Sequence, residues 1–281
     1  MSTETVGTTD QDSGRGGLSQ AVGDYVAKLR SGDIGSLSSV LGVIVLVLLF
    51  TALKPGIFDT PRNFANLLNQ SAAVIFIAMG LVFVLLLGEI DLSAGYTAGT
   101  AAAVLAVLLN DSVPWWLAVL ACLATGAFIG LLIGLLVALL GIPSFVVTLA
   151  AFLGLQGVLL LVIGNGGTIP VRDPVILRLM NSNLPVWGGW VFWALVVGGF
   201  VALGLANQAR RRRAGLPTGN TTLFWAGAVA LAVLLAAAVY VLNLERAVNV
   251  DISSLRGVPV VVPVATLFLV GLTFVLDRTR F

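Results

Sequence analysis

The chain has 281 residues, of which 58 % are hydrophobic and 10 % charged, with a mean hydropathy of +1.05. That composition lies far from a water-soluble globular domain and places the protein in a bilayer. A net charge of +2 with scattered basic residues argues against a nucleic-acid surface, and the absence of histidine excludes a His-based metal centre, a His proton relay and a Ser-His-Asp triad. The single Cys122, inside an apolar run, supplies neither a disulfide framework nor a thiol metal site, and no G-x-x-x-x-G-K-[ST] stretch is present. No catalytic residue, metal or cofactor is expected.

Residues 1–36 are rich in Ser, Thr, Gly and Asp and lack the basic start and cleavage site of a secretory signal. They read as a largely disordered cytoplasmic tail, with a short amphipathic helix expected near Leu18 to Leu29. From residue 37 to 276 the chain reads as one transmembrane domain, followed by a cytoplasmic end at 277–281. A crossing needs about 17 to 25 apolar residues. Eight hydrophobic segments qualify or come close: Leu37 to Leu53, Ser71 to Leu87, Gly95 to Leu109, Trp115 to Leu140, Ser144 to Ile163, Val186 to Leu205, Leu223 to Leu242 and Val258 to Val275. They are continuously apolar and do not alternate with period two, so the expected fold is all-α, a polytopic helical bundle rather than a β-barrel. The connections carry chain breakers: Lys54-Pro55-Gly56, Asn110 to Pro114, Gly141-Ile142-Pro143 and a long loop from Gly164 to Pro185.

Basic residues in short loops mark the cytoplasmic side. The run Arg210 to Arg213, read as a loop, sets that side; counting crossings in both directions places Lys28/Arg30 and Arg278/Arg280 on it too, with the N-terminus cytoplasmic. Asn220-Thr221-Thr222 fits a glycosylation sequon but falls on the cytoplasmic flank. Trp115, Trp116, Trp187, Trp190 and Trp193 start predicted spans on the outer side and read as interfacial anchors. Gly126, Gly130 and Gly134 recur every fourth residue, a pattern that permits close helix contact; packing within the chain is the first expectation and a subunit interface the second. Asn69, Gln70, Thr148 and Gln156 are the remaining polar residues in or near spans.

Thirteen residues are acidic, and only Glu89 and Asp91 lie where no ordinary loop carries them clear of the membrane. An acid at a span centre costs roughly 2.5 to 3.5 kcal/mol on insertion scales, so Gly88-Glu89-Ile90-Asp91-Leu92-Ser93-Ala94-Gly95 calls for a reason. One reading is a tight cytoplasmic turn, with Gly88 ending one helix and Asp91 or Ser93 capping the next. The other is a broken or re-entrant helix, allowed at membrane depth where protein or a water-filled cavity satisfies the backbone. The short following segment, rich in small and hydroxylated residues (Ser93, Gly95, Tyr96, Thr97, Gly99, Thr100), favours the second and suits a polar path.

The same residues carry a family resemblance. Gly88 to Gly95 resembles the G-G-I-D-L-S-V-G signature of the inner-membrane permease subunits of ABC sugar importers of the ribose, xylose and galactose group. Ile142-Pro143-Ser144-Phe145-Val146-Val147-Thr148-Leu149 resembles that family's P-x-F-x-x-T-L segment, which marks Pro143, Phe145, Thr148 and Leu149. The likeness runs from about Leu37 to the C-terminus and leans toward xylose-type members through Leu155-Gln156-Gly157-Val158 and Thr168-Ile169-Pro170. Glu89 departs from the pattern, standing where many members have Gly. The family continues past a segment like Val258 to Arg280 with a coupling loop and further helices, so the chain is expected to be an incomplete member. The resemblance implies a permease subunit of the bacterial inner membrane that takes a monosaccharide, D-xylose or a relative, from an extracytoplasmic binding protein. A second permease chain and separate ATPase subunits are the implied partners. The rival readings are a proton-coupled transporter using Glu89 or Asp91, and a non-transporting membrane remnant.

Overall fold

The computed structural model describes residues 37–164, 167–216, 221–247 and 255–278. The tail, its expected amphipathic helix, Asn220 of the sequon and Arg280 lie outside the described residues. Among the described residues nine helices occur and no strand: α1 (Leu37–Leu53), α2 (Pro61–Leu86), α3 (Ala94–Asn110), α4 (Trp115–Leu140), α5 (Ser144–Ile163), α6 (Pro174–Asn181), α7 (Val186–Arg213), α8 (Thr221–Asn243) and α9 (Val261–Arg278). All eight hydrophobic segments are helical, and the count is corrected upward by α6. Six helices (α2, α4, α5, α7, α8 and α9) are long and apolar enough to cross a membrane. The 17 residues of α3 reach only about 25 Å at roughly 1.5 Å per residue, short of a hydrocarbon core of about 30 Å.

Solvation explains the surface. Leu161, Leu203, Leu234 and Leu267 are each at least 70 % exposed. Leaving one such side chain in water forfeits about 1.5 to 3 kcal/mol of burial, and the spans carry dozens, so their solvent is lipid. The chain is a polytopic helical membrane protein.

Local chemistry sets the helix ends. Thr60 precedes Pro61 at the first position of α2, and its hydroxyl accepts the Asn63 N–H at 3.2 Å. The helix therefore starts ten residues before the expected Ser71; its first turns are polar, which shortens an apolar run without interrupting a helix. Pro114 and Pro143 precede α4 and α5, and Gly141 ends α4 in the left-handed conformation at φ +67°. The run Arg210 to Arg213 is not a loop: it is the last turn of α7, where four cations meet the negative end of the helix dipole.

Two compact units are distinguished. One contains α1, α7 and α8. In it α7 packs on α8, Trp193 Nε1 donates to the Ala232 carbonyl at 2.9 Å, and Phe200 stacks on Phe224 at 5.9 Å. Trp193 thus ties two helices together, and Trp187 stays exposed. The other unit contains nearly all of α2, then α3 to α6 and α9. Here α3 packs against both α4 and α5, which also pack on each other. Small residues make that close approach possible: Ala101, Ala103 and Ala106 of α3 and Ala118 of α4 are buried.

Candidate functional site

The site lies in the second unit, at the break between α2 and α3. Gly88 leaves α2 at φ +77°, and its N–H donates to the Leu85 carbonyl at 3.0 Å while Glu89 N–H reaches the Val84 carbonyl at 3.2 Å. The chain then runs non-helical for Glu89 to Leu92. The Ile90 side chain is half exposed, but its peptide groups are both engaged: the N–H donates to Ser144 Oγ at 3.3 Å, and the carbonyl accepts from Thr148 Oγ1 at 3.2 Å. Ser144 and Thr148 are one turn apart on α5, so one face of that helix presents two hydroxyls to one residue. The two sequence motifs, more than fifty positions apart, meet here.

Asp91 secures the start of α3. Its Oδ1 accepts from the Ser93 N–H at 2.7 Å and from Ser93 Oγ at 2.6 Å. Ser93 is fully buried, and its carbonyl accepts the Thr97 N–H at 2.8 Å. Ser93 occupies the N-cap position without a side-chain cap: its hydroxyl turns back to Asp91 instead of accepting from the helix. Thr148, 1 % exposed, shares its one hydroxyl proton between the Ile90 carbonyl and the Ser144 carbonyl, the latter at 2.8 Å.

The remaining motif residues stand apart. Glu89 is half-buried, and its carboxylate has no hydrogen-bond or ion-pair partner among the described residues. Leu92, Phe145 and Leu149 are exposed, as is Gly95, while Pro143 sets the start of α5 through its carbonyl, which accepts from Val146 N at 2.9 Å. In the glycine stripe, a methyl group added at Gly126, Gly130 or Gly134 meets no atom of the described chain within 4 Å. In contrast Gly204, which the sequence did not single out, lies against the Phe224 ring. Among the described residues no cluster of His, Cys, Asp or Glu has the makings of a metal site.

One polar cluster escaped the sequence reading. Arg246, 3 % exposed, donates through Nη2 to Asn183 Oδ1 at 3.0 Å and to the Gly257 carbonyl at 2.8 Å, and through Nε to the Leu255 carbonyl at 3.4 Å. Burial lowers its pKa, and the neighbouring Glu245 opposes that shift. Glu245 Oε1 accepts from the N–H groups of Arg246, Ala247 and Leu255, and Oε2 pairs with Arg256 at 2.8 Å. The clamp fixes residues 255–260 against 182–184, where Leu184 N–H reaches the Val258 carbonyl at 2.7 Å and Val260 N–H reaches the Ser182 carbonyl at 3.0 Å. An acid–base pair directly after an apolar run is the only signal; Asn183, 63 positions away, is invisible to it.

The apolar spans and the helix broken at a carboxylate–hydroxyl network are those of a polytopic helical membrane protein. Residues 63–244 match the family described as branched-chain amino acid transport system / permease component, and the chain belongs to this family of permeases. It is 32 % identical to the xylose transport system permease protein XylH of Escherichia coli (strain K12) over 90 % of this chain and 62 % of that protein. Identity to XylH of Haemophilus influenzae is 28 %, over 90 % of this chain and 65 % of the relative. The ribose import permease protein RbsC of Escherichia coli (strain K12) is 35 % identical over 47 % of this chain and 40 % of its own length. The chain spans about three fifths of the length of the XylH relatives it matches. No solved structure matches it.

Proposed function

We propose that the chain is the membrane-spanning subunit of an ATP-binding-cassette importer for a monosaccharide, D-xylose or a related pentose. The substrate arrives from an extracytoplasmic binding protein, a second permease chain completes the pathway, and separate ATPase subunits supply the energy. The observation that carries the reading is the joining of the two importer-like motifs at Ile90 by Ser144 and Thr148, together with the similarity to xylose permeases along 90 % of the chain. In this reading residues 37–276 form the permease domain, the N-terminus and the Arg210 to Arg213 turn face the cytoplasm of a bacterial inner membrane, and Glu245 to Val260 lies outside. The break from Gly88 to Gly95 borders the path. Asp91 acts there as a fixed anchor of α3, which counts against a role as a mobile proton carrier. A path of weak hydroxyl and backbone contacts suits a neutral solute that its partner has already captured, since tight binding inside the membrane would slow release.

The test is reconstitution of the full chain with its ATPase and binding protein in liposomes. Uptake of labelled D-xylose that requires ATP and survives an uncoupler supports the reading. Uptake that collapses with the uncoupler and ignores ATP assigns the chain to secondary transport. Uptake of leucine in preference to xylose replaces the sugar with an amino acid.

A further inference from the structure

Hydroxyls inside these helices, buried or not, mostly satisfy themselves. Ser71, Thr125, Thr148, Thr266 and Thr273 each donate to the carbonyl four residues back, at 2.6 to 2.9 Å. Thr97 and Thr100 of α3 do not. Their hydroxyl oxygens are buried and have no hydrogen-bond partner, and Thr100 as a residue is only 4 % exposed. A buried hydroxyl without a partner is costly and calls for an explanation. Packing does not supply one, because the aromatic and close contacts of this helix belong to other positions: Tyr96 meets Phe152 edge-on at 4.7 Å, and Gly99 faces Leu159.

Position does supply one. At 3.6 residues per turn, Ser93, Thr97 and Thr100 fall within an arc of about 60° on one face of α3. The row begins at the Asp91–Ser93 anchor. Ser93 is consumed by Asp91, which leaves two free hydroxyls about 5 to 6 Å apart at Cβ, each able to donate one hydrogen bond and accept two. That is a short ladder for the hydroxyl groups of a neutral polyol, closed over in this conformation.

We propose that Thr97 and Thr100 form a substrate-contact site for a neutral polyhydroxylated solute, covered in this conformation and uncovered when the transporter turns over. The proposal rests on the sugar-import reading above. Its test uses the full chain with its ATPase and binding protein in liposomes, D-xylose as solute, and Thr97→Val, Thr100→Val and the double variant, with Thr→Ser at each site as the conservative comparison. Valine keeps the shape and removes the unpartnered oxygen, so thermal stability is expected to hold or rise. Uptake rate is expected to fall about three- to tenfold per site, the scale of one lost neutral hydrogen bond, and the Ser variants to retain it. In a Cys122→Ser background, which removes the sole native thiol, Thr97→Cys is expected to react with a small thiol reagent faster during ATP turnover than at rest.

Unchanged uptake in the Val variants overturns the site, as does a reaction rate at position 97 that is the same in every state. A joint loss of stability and uptake, with both restored by Ser, also overturns it and assigns the pair to a structural water. If the unaltered chain takes up no xylose, the import reading falls and the site falls with it, an outcome distinct from normal uptake that the variants leave untouched.

Discussion

Asp91→Asn tests the anchor at the start of α3. The substitution keeps an oxygen at the Oδ1 position but removes its charge. Two hydrogen bonds from Ser93, at 2.7 and 2.6 Å, change from charge-assisted to neutral. Charged-acceptor bonds contribute about 1.5 to 3 kcal/mol and neutral ones about 0.5 to 1.5, so two of them predict a loss of roughly 1 to 3 kcal/mol, discounted toward the lower half because Asp91 is partly exposed. Asp91→Ala goes further: it leaves the Ser93 N–H and hydroxyl without an acceptor in a fully buried residue, and a loss of about 3 to 4 kcal/mol is expected. Glu89→Gln, two residues away, removes no contact made with the described residues and is expected to be neutral within about 0.5 kcal/mol. The assay is thermal unfolding of purified protein in one detergent, with the double variant Asp91→Asn/Ser93→Ala closing a cycle. Coupling between positions 91 and 93 should exceed about 0.5 kcal/mol. Equal, mild effects of Asp91→Asn and Glu89→Gln, or strict additivity in the cycle, would refute the anchor.

Thr148→Val should cost about 1 to 2 kcal/mol by removing the buried hydroxyl that holds the Ile90 carbonyl, and Ser144→Ala less, because Ser144 is only partly buried; equal values from unfolding curves would contradict that difference. Gly204→Ala should destabilise by about 1 to 3 kcal/mol as the Phe224 ring is pushed off its stack on Phe200, while Gly130→Ala, which meets open space, should leave the unfolding temperature of the monomeric chain unchanged. Arg246→Gln should cost about 3 to 5 kcal/mol, since three acceptors around a buried cation lose their donor; limited proteolysis is expected to show cleavage between 182 and 184 or 255 and 260, and an intact segment would count against the clamp.

Much of this was legible in the sequence, for physical reasons. Continuous apolar runs of span length have one solution in lipid, so every expected segment is a helix. The ends were misplaced where the signal was apolarity rather than hydrogen bonding: Thr60-Pro61 starts α2 by capping, ahead of the polar Arg62, Asn63, Asn69 and Gln70 that the hydropathy pattern excludes. The eight residues of α6 are too few for a span and were read as loop, although Asp173-Pro174 carries a start signal; Asp173 Oδ1 accepts from Val175 N and Ile176 N at 2.9 and 3.1 Å. In the motif neither side chain caps α3: Asp91 holds the N-cap residue Ser93 rather than a helix N–H, and the Ser93 hydroxyl turns back to Asp91. The glycine stripe shows the limit of spacing as evidence: a fourfold repeat gives a flat helix face and says nothing about what covers it. The Ile90 contacts needed the fold, because neither motif names the other.

The Ile90 connection also has a mechanical side. An unwound stretch between two helices is ordinarily a hinge, free to absorb rotation about a few backbone bonds. Here the middle of that stretch is pinned at both its N–H and its carbonyl to side chains one turn apart on a single rigid rod, α5. Two attachment points remove the freedom to swing that one would leave. A tilt of α5 is therefore handed to the root of α3 without slack, and bending is left to the glycine joint at Gly88 on the α2 side.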